Sequence, residues 1–366
     1  MKRSTRIILG IAALVLLIIG YVIVTRPAPV LTVTTWAGEY SRAQANAFFR
    51  PYSLRTGIDV RTALYDGELD SLWQQERSKQ YSWDVVDFEL PTAIKACGEG
   101  LLEKIDPRIL PAGANGAPAA QDFVKNAIGP CWVGTVVYSQ AIAYAPSRFR
   151  ADPPKTLADF FNVQKYPGPR ALRRSSAKFN MELALLADGV KPGDVYAVLS
   201  TPQGVDRALF KLTSIRSTTV WWNATSEPAQ MLSDGRAAFS TILNGDIYDA
   251  TIHRKEIAPI WDDQLYELDV FGIPKGNPNL SKALDFLRFA TASQPLAAVS
   301  DWVPYGPARR SSLPFVGRNP DLKIAMRPFL PTTPENFSTA FAVDDVWWQA
   351  NGPRIEARWQ TWLGTP

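Results

Sequence analysis

The single histidine of this sequence, His253, is followed by Arg254 and Lys255 and has no second His or Cys at ligand spacing. A zinc site or a Ser-His pair is not expected from it, and His253 reads as a solvated helix residue. There is no G-x-S-x-G elbow, P-loop or G-x-G-x-x-G; Gly98-Glu99-Gly100 runs on into Leu101-Leu102 and breaks the dinucleotide pattern. Carboxylates remain for acid and base work. The adjacent pairs Asp262-Asp263 and Asp344-Asp345 point different ways as sequence neighbours and read as charged surface turns. The expectation is no catalytic residue, no metal and no cofactor.

Material for binding is better represented. Trp36 and Tyr40 follow the β-branched stretch 31–35, Tyr65 and Asp66 follow 59–64, and Asp87, Phe88 and Glu89 close the short apolar run that begins at 84. Loops that follow the strands of an open parallel sheet converge on one crevice. Aromatic faces beside carboxylates there form a box for a cation, through ring quadrupoles and charge-assisted hydrogen bonds. Any one of these residues could equally be a packing residue or a helix cap; their recurrence at strand ends is what points to a site.

The elements that must position them alternate. Strands at 31–35, 59–64 and 84–87 are separated by helical stretches, the first with Ser41 and Gln44 as a capping box and a stop at Gly57. After Cys131 a second unit follows: a β-rich run at 135–145, a short helix capped by Thr156, strands at 170–172, 217–222 and 236–243, and helices at 177–187 and 201–213. A strand at 266–274 and an amphipathic helix at 281–292 come next. A tail carrying Trp347, Trp348, Trp359 and Trp362 closes the chain, its tryptophans read as packing residues. Alternation of this kind predicts α/β architecture with mostly parallel sheets covered on both faces. At 366 residues the chain suits two lobes rather than one core.

Lys2, Arg3 and Arg6 precede an apolar run from 7 to 24, followed by Arg26, Pro27 and Pro29. Residues 1–29 read as an export signal, either a cleaved signal peptide or an inner-membrane anchor formed by residues 7–24. The four basic residues of the first 26 account for the net charge of +4, so the remainder is neutral. With no basic stripe, a nucleic-acid partner is not expected. The two cysteines, Cys97 and Cys131, would lie in an oxidising compartment and read as one disulfide, worth roughly 3 to 4 kcal/mol in the chain-entropy model.

The sequence resembles the periplasmic spermidine/putrescine-type solute-binding proteins of ABC importers. The resemblance rests on a collinear set: the opening Leu31-Thr-Val-Thr-Thr-Trp36-Ala-Gly-Glu-Tyr40, then Thr56-Gly57-Ile58-Asp59-Val60, Trp83-Asp-Val-Val86 and Gly100-Leu101-Leu102-Glu103. Tyr166-Pro167-Gly168, Leu243-Asn244-Gly245 and Asp269-Val-Phe-Gly-Ile-Pro274 continue it. It implies a type II periplasmic-binding-protein fold, with lobe 1 at 30–135 plus 268–305 and lobe 2 at 136–267 plus 306–366, joined by crossing hinge strands. It further implies a monomer in the periplasm that delivers its ligand to an ABC permease in the inner membrane. The expected substrate-binding residues are Trp36, Tyr40, Asp87, Glu89, Trp222, Asn244, Asp269 and Tyr305, with Asp269 gripping an amine. Leu243 departs from the aromatic residue usual in polyamine binders, and Trp221 and Trp222 are candidates to replace its face. Arg173, Arg174, Ser175 and Ser176 stand where polyamine binders place acids. A dication would be repelled there, so the expected ligand carries one amine with a carboxylate or hydroxyls, as in an amino-acid derivative or an opine-like compound. Two rivals stay open: an anchored sensory or scaffold protein that keeps the binding fold, and a secreted hydrolase working with two carboxylates.

Overall fold

The computed structural model describes residues 28–364, so the apolar run 7–24 lies outside the described residues. Eight strands carry the architecture: β1 (Val30–Thr35), β2 (Asp59–Leu64), β3 (Val85–Glu89), β4 (Trp132–Tyr144), β5 (Arg170–Arg173), β6 (Thr219–Trp222), β7 (Phe239–Leu243) and β8 (Ala258–Gly272). They lie in the order β2-β1-β3-β8-β4-β7-β5-β6 within one sheet. β1 pairs parallel with β2 and β3 on one side, and β5 pairs parallel with β6 and β7 on the other. Each parallel trio is the sheet of one lobe. The long β4 and β8 run antiparallel through both lobes and form the crossing pair, with register shifts at Gly134/Val136 and Gln140/Ile142 that locally bend it.

Two hydrophobic cores follow from this layout. In lobe 1, Val85, Val86 and Phe88 of β3 are fully buried. Phe48 meets Phe271 edge-on at 5.9 Å, and Tyr52 meets Phe286 at 5.2 Å. In lobe 2, Phe160 and Tyr166 pack against Phe239, and the final helix Asp345–Gly364 adds buried Trp348, Trp359 and Trp362. Those tryptophans therefore pack, as the sequence predicts; each such side chain contributes roughly 1.5–3 kcal/mol or more by leaving water.

Two local differences from the sequence reading have plain causes. Ser41 and Gln44 do not cap a helix. The helix starts earlier, at Glu39, because Gly38 turns the chain with φ 84, a left-handed value that favours glycine. Gln44 thereby becomes an inward-facing side chain. β8 begins at Ala258 rather than 266, since its first residues are half-exposed and lack the apolar run of its second half. Residues 306–316 are seated against the 111–124 segment: Arg309 forms an ion pair with Asp122 at 3.3 Å, and Ser311 donates to Asp122 through N at 2.8 Å and Oγ at 2.6 Å.

Cys97 and Cys131 are bonded, with Cα atoms 5.8 Å apart and a sequence separation of 34. The bond ties the helix Leu90–Gly98 to the start of β4. The paired substitution Cys97→Ser/Cys131→Ser is expected to lower stability by about 3 kcal/mol, read as a fall in thermal midpoint of roughly 5–10 °C.

Candidate functional site

Between the lobes lies a cavity of about 540 Å³, bounded by Tyr40, Tyr138, Leu243, Asn244, Trp302 and Tyr305 among others. Behind the Tyr40 and Tyr138 side of that wall lies a row of acids whose placement follows from strand register. β3 and β8 place Asp87 opposite Phe271 and Glu89 opposite Asp269. β8 and β4 place Asp269 opposite Val136 and Glu267 opposite Tyr138. Paired residues share a face and the side-chain period is two, so Asp87, Glu89, Glu267 and Asp269 all project to one side of the sheet.

Asp87 is fully buried and accepts from Gln44 Nε2 at 2.6 Å and Thr35 Oγ1 at 3.4 Å, while its Oδ1 is buried with no partner. Burial pushes its carboxyl up to about 7, against the hydrogen bonds from Gln44, Tyr40 and Thr35 that hold it down. Asp269 is pushed well above the carboxylate range by burial and by the neighbouring charges of Asp87, Glu89 and Glu267. Glu89, at the open end of the row, is raised by partial desolvation and by Glu267, with Lys178 and Arg173 opposing. Tyr40 stands over the pair. Thr135 Oγ1 gives its proton to the carbonyl of Asp269 at 2.9 Å, so the Tyr40 hydroxyl, 3.4 Å from that Oγ1, is left to donate. A buried acceptor without a donor, beside a second buried carboxylate, is a seat for a cation that arrives with a ligand.

Three tyrosines, Tyr40, Tyr138 and Tyr305, stand between this seat and the cavity. Tyr305 meets Tyr40 edge-on at 5.7 Å and lies 6.3 Å from Tyr138. Trp36 sits at the end of β1, two strands from β8, packed edge-on to Tyr65 at 5.2 Å with its indole N–H buried and unpartnered. Tyr65 in turn meets Phe88 at 5.6 Å, so the aromatic row runs on behind the acids.

The other wall comes from lobe 2. Arg173, half-buried at the end of β5, donates through Nε to Ser175 Oγ at 3.0 Å and acts electrostatically on Glu89. Lys178 binds Glu267 and Asp345. Asp345 is buried, not a surface turn as the sequence reading has it, because it starts the final helix beneath Lys178. His253 is exposed, as expected, and closes the helix Asn244–Ile252.

Two expected contacts are placed differently. Trp222 is buried in the lobe 2 core, donating from Nε1 to Thr241 Oγ1 at 3.2 Å, and serves as a platform 5.8 Å beneath the Arg173 guanidinium. Trp221 packs on Trp359 and Trp362, so neither indole replaces an aromatic at Leu243. Asn244 lines the cavity, but Ser139 N donates to its Oδ1 at 2.9 Å and its Nδ2 donates to the Pro304 carbonyl at 2.7 Å. It fastens the helix Asn244–Ile252 to the crossing strand and to the Tyr305 segment.

The residues that sequence reasoning passed over are Gln44, Tyr138, Lys178 and Glu267. Glu267 had a signal, since it stands two residues before Asp269 and a strand repeats its faces every second residue. Among the described residues no group of His, Cys, Asp or Glu is arranged to hold a metal ion, and no helix is long and apolar enough to cross a membrane.

The chain is 36% identical over 332 residues to the gamma-aminobutyric acid-binding protein of Pseudomonas aeruginosa PAO1, covering 91% of this chain and 90% of that one. Among solved structures, an ABC transporter substrate-binding protein from Bradyrhizobium japonicum USDA 110 superposes with a TM-score of 0.75 at 28% identity, over 91% of this chain and 99% of that one. The Atu4243-GABA receptor superposes with a TM-score of 0.72 at 26% identity, over 92% and 98%. These are solute-binding proteins, not enzymes, and the two-lobed type II fold is theirs. The profile for bacterial extracellular solute-binding proteins matches residues 47–324, and the chain belongs to that family.

Proposed function

We propose that this protein captures a small zwitterion with one amine and one carboxylate, of the 4-aminobutanoate class, and hands it to an ABC permease from the periplasm. One observation carries the reading: a buried acid pair with an unpartnered oxygen, Asp87 and Asp269, lies on the lobe 1 wall, while the cationic Arg173 faces Glu89 from lobe 2. A ligand whose ammonium enters the acid seat and whose carboxylate meets Arg173 touches both lobes at once. Such a ligand favours the closed state by its differential affinity. Both walls come from one chain, so the working unit in this reading is the monomer. The names of the relatives, gamma-aminobutyric acid-binding protein and GABA receptor, support the same ligand class. They weigh against a spermidine/putrescine specificity, as does the pairing of Glu267 and Asp345 with Lys178.

The test is isothermal titration with 4-aminobutanoate, α-amino acids, opines, putrescine and spermidine. Micromolar or tighter binding of 4-aminobutanoate or an opine is the expected result. Tight spermidine binding with none of any zwitterion overturns it.

Acidification is expected to separate capture from stability. The cation needs an ionised acid seat, so affinity falls as pH drops below about 7, where Asp87 takes up a proton. Empty protein should behave oppositely. Its raised carboxyls bind protons that the unfolded chain has already lost, so the stability present at low pH declines between the ordinary carboxylate range and about 7. The thermal midpoint without ligand should therefore be higher at pH 5.5 than at pH 8, and the ligand-induced rise smaller.

A further inference from the structure

Lys178 is an unusual cation for this cleft. Its ammonium binds Glu267 and Asp345, the latter at 2.9 Å, and both carboxylates are nearly sealed from water. Burial works against its charge, but the two acids hold it protonated. Glu267 is also the next residue along the β8 face from Asp269, about 7 Å away by strand geometry. Tyr138, paired with Glu267, forms part of the cavity wall and is influenced by Glu267, Glu89, Asp269 and Asp345 together. The Lys178 ammonium thus ends the same row of carboxylates that begins at the amine seat.

Its placement is enforced. The next residue, Phe179, has φ 73, a left-handed value that is unfavourable for a bulky side chain and persists only where the surroundings dictate it. Asn180 Nδ2 donates to the carbonyls of Arg173 at 2.8 Å and Ser176 at 2.9 Å, which pins the loop that carries Lys178.

We propose that Lys178 is a built-in second ammonium: it fills the subsite between Glu267 and Asp345 that the far amine of a short diamine would otherwise occupy, and so restricts the cleft to monoamines. This rests on the reading of Asp87 and Asp269 as the amine seat. Asp269 and Glu267 stand two residues apart on one strand face, about 7 Å by strand geometry, which is the scale of the spacing between the two ammoniums of a short diamine. A merely structural ion pair would make the same contacts but would create no diamine site when its lysine is removed.

The experiment is titration of wild type, Lys178→Ala and Lys178→Gln with 1,4-diaminobutane and, separately, with 4-aminobutanoate. Lys178→Ala empties the subsite and is expected to bind the diamine at least about 30-fold more tightly than wild type, because two buried acids regain a partner. Lys178→Gln removes the charge but fills the space, and is expected to show no comparable gain. A folded Lys178→Ala with unchanged diamine affinity overturns the proposal, as does an equal gain in both variants, which would report added negative charge rather than a vacated subsite. Where Lys178→Ala does not fold, Lys178→Ala/Asp345→Asn strands one acid fewer and carries the same comparison. The diamine gain is read independently of 4-aminobutanoate. If wild type ignores 4-aminobutanoate while the gain appears, the ligand assignment fails and this one stands; the converse result fails this one alone.

Discussion

Asp269→Asn is expected to weaken capture of the amine-bearing ligand several-hundred-fold, about 3–4 kcal/mol, in isothermal titration at pH 8. The substitution keeps the shape of the side chain and removes its charge. An incoming ammonium then meets only Asp87, and its own desolvation goes largely uncompensated in a seat bordered by Tyr40 and Tyr305. The empty protein should gain stability instead, because one of two repelling buried carboxylates has gone. Opposite signs for affinity and thermal midpoint distinguish a lost ligand contact from general damage. A variant that loses stability and keeps its affinity would remove Asp269 from the site.

Much of this seat is legible in the sequence because it is built from local rules. β1 and β2, which lead directly into Trp36 and Tyr65, and β3, which carries Asp87, deliver those residues to one edge of a parallel sheet whatever the rest of the chain does. The second half of β8 is equally plain, since its alternation places Asp269 inward. Pairing across strands is not legible in the same way. Tyr138 belongs to the row only because β4 and β8 meet with Tyr138 opposite Glu267, and that register is set by bulges at Gly134/Val136 and Gln140/Ile142 that leave no compositional mark.

Aromatic residues misled for a related reason. Trp222 looks like a ligand platform by type, but its strand presents it to the lobe 2 core, where Thr241 satisfies its N–H. Lys178 was hidden by distance. Its partners are 89 and 167 residues away in sequence, and nothing near Lys178 announces them. The seating of residues 306–316 is hidden in the same way: Arg309 reaches Pro111 and Asp122, residues almost two hundred positions earlier.

That contact sets the largest expected loss of stability. Arg309 is fully buried, its guanidinium 4.5 Å over the Phe123 ring, donating to the Pro111 carbonyl at 2.7 Å and the Ala112 carbonyl at 3.3 Å. Arg309→Ala would leave Asp122 charged, buried and short of its cation, along with two carbonyls without donors. About 3–5 kcal/mol is expected, a fall in thermal midpoint of roughly 10 °C. Most of that loss is the stranded acid rather than a large net gain from the pair. The double variant Arg309→Met/Asp122→Leu, which removes both charges and keeps apolar volume, should therefore recover much of the stability, although Ser311 loses its acceptor. A double variant no better than Arg309→Ala would assign the loss to the carbonyls of residues 111 and 112 and to the Phe123 contact.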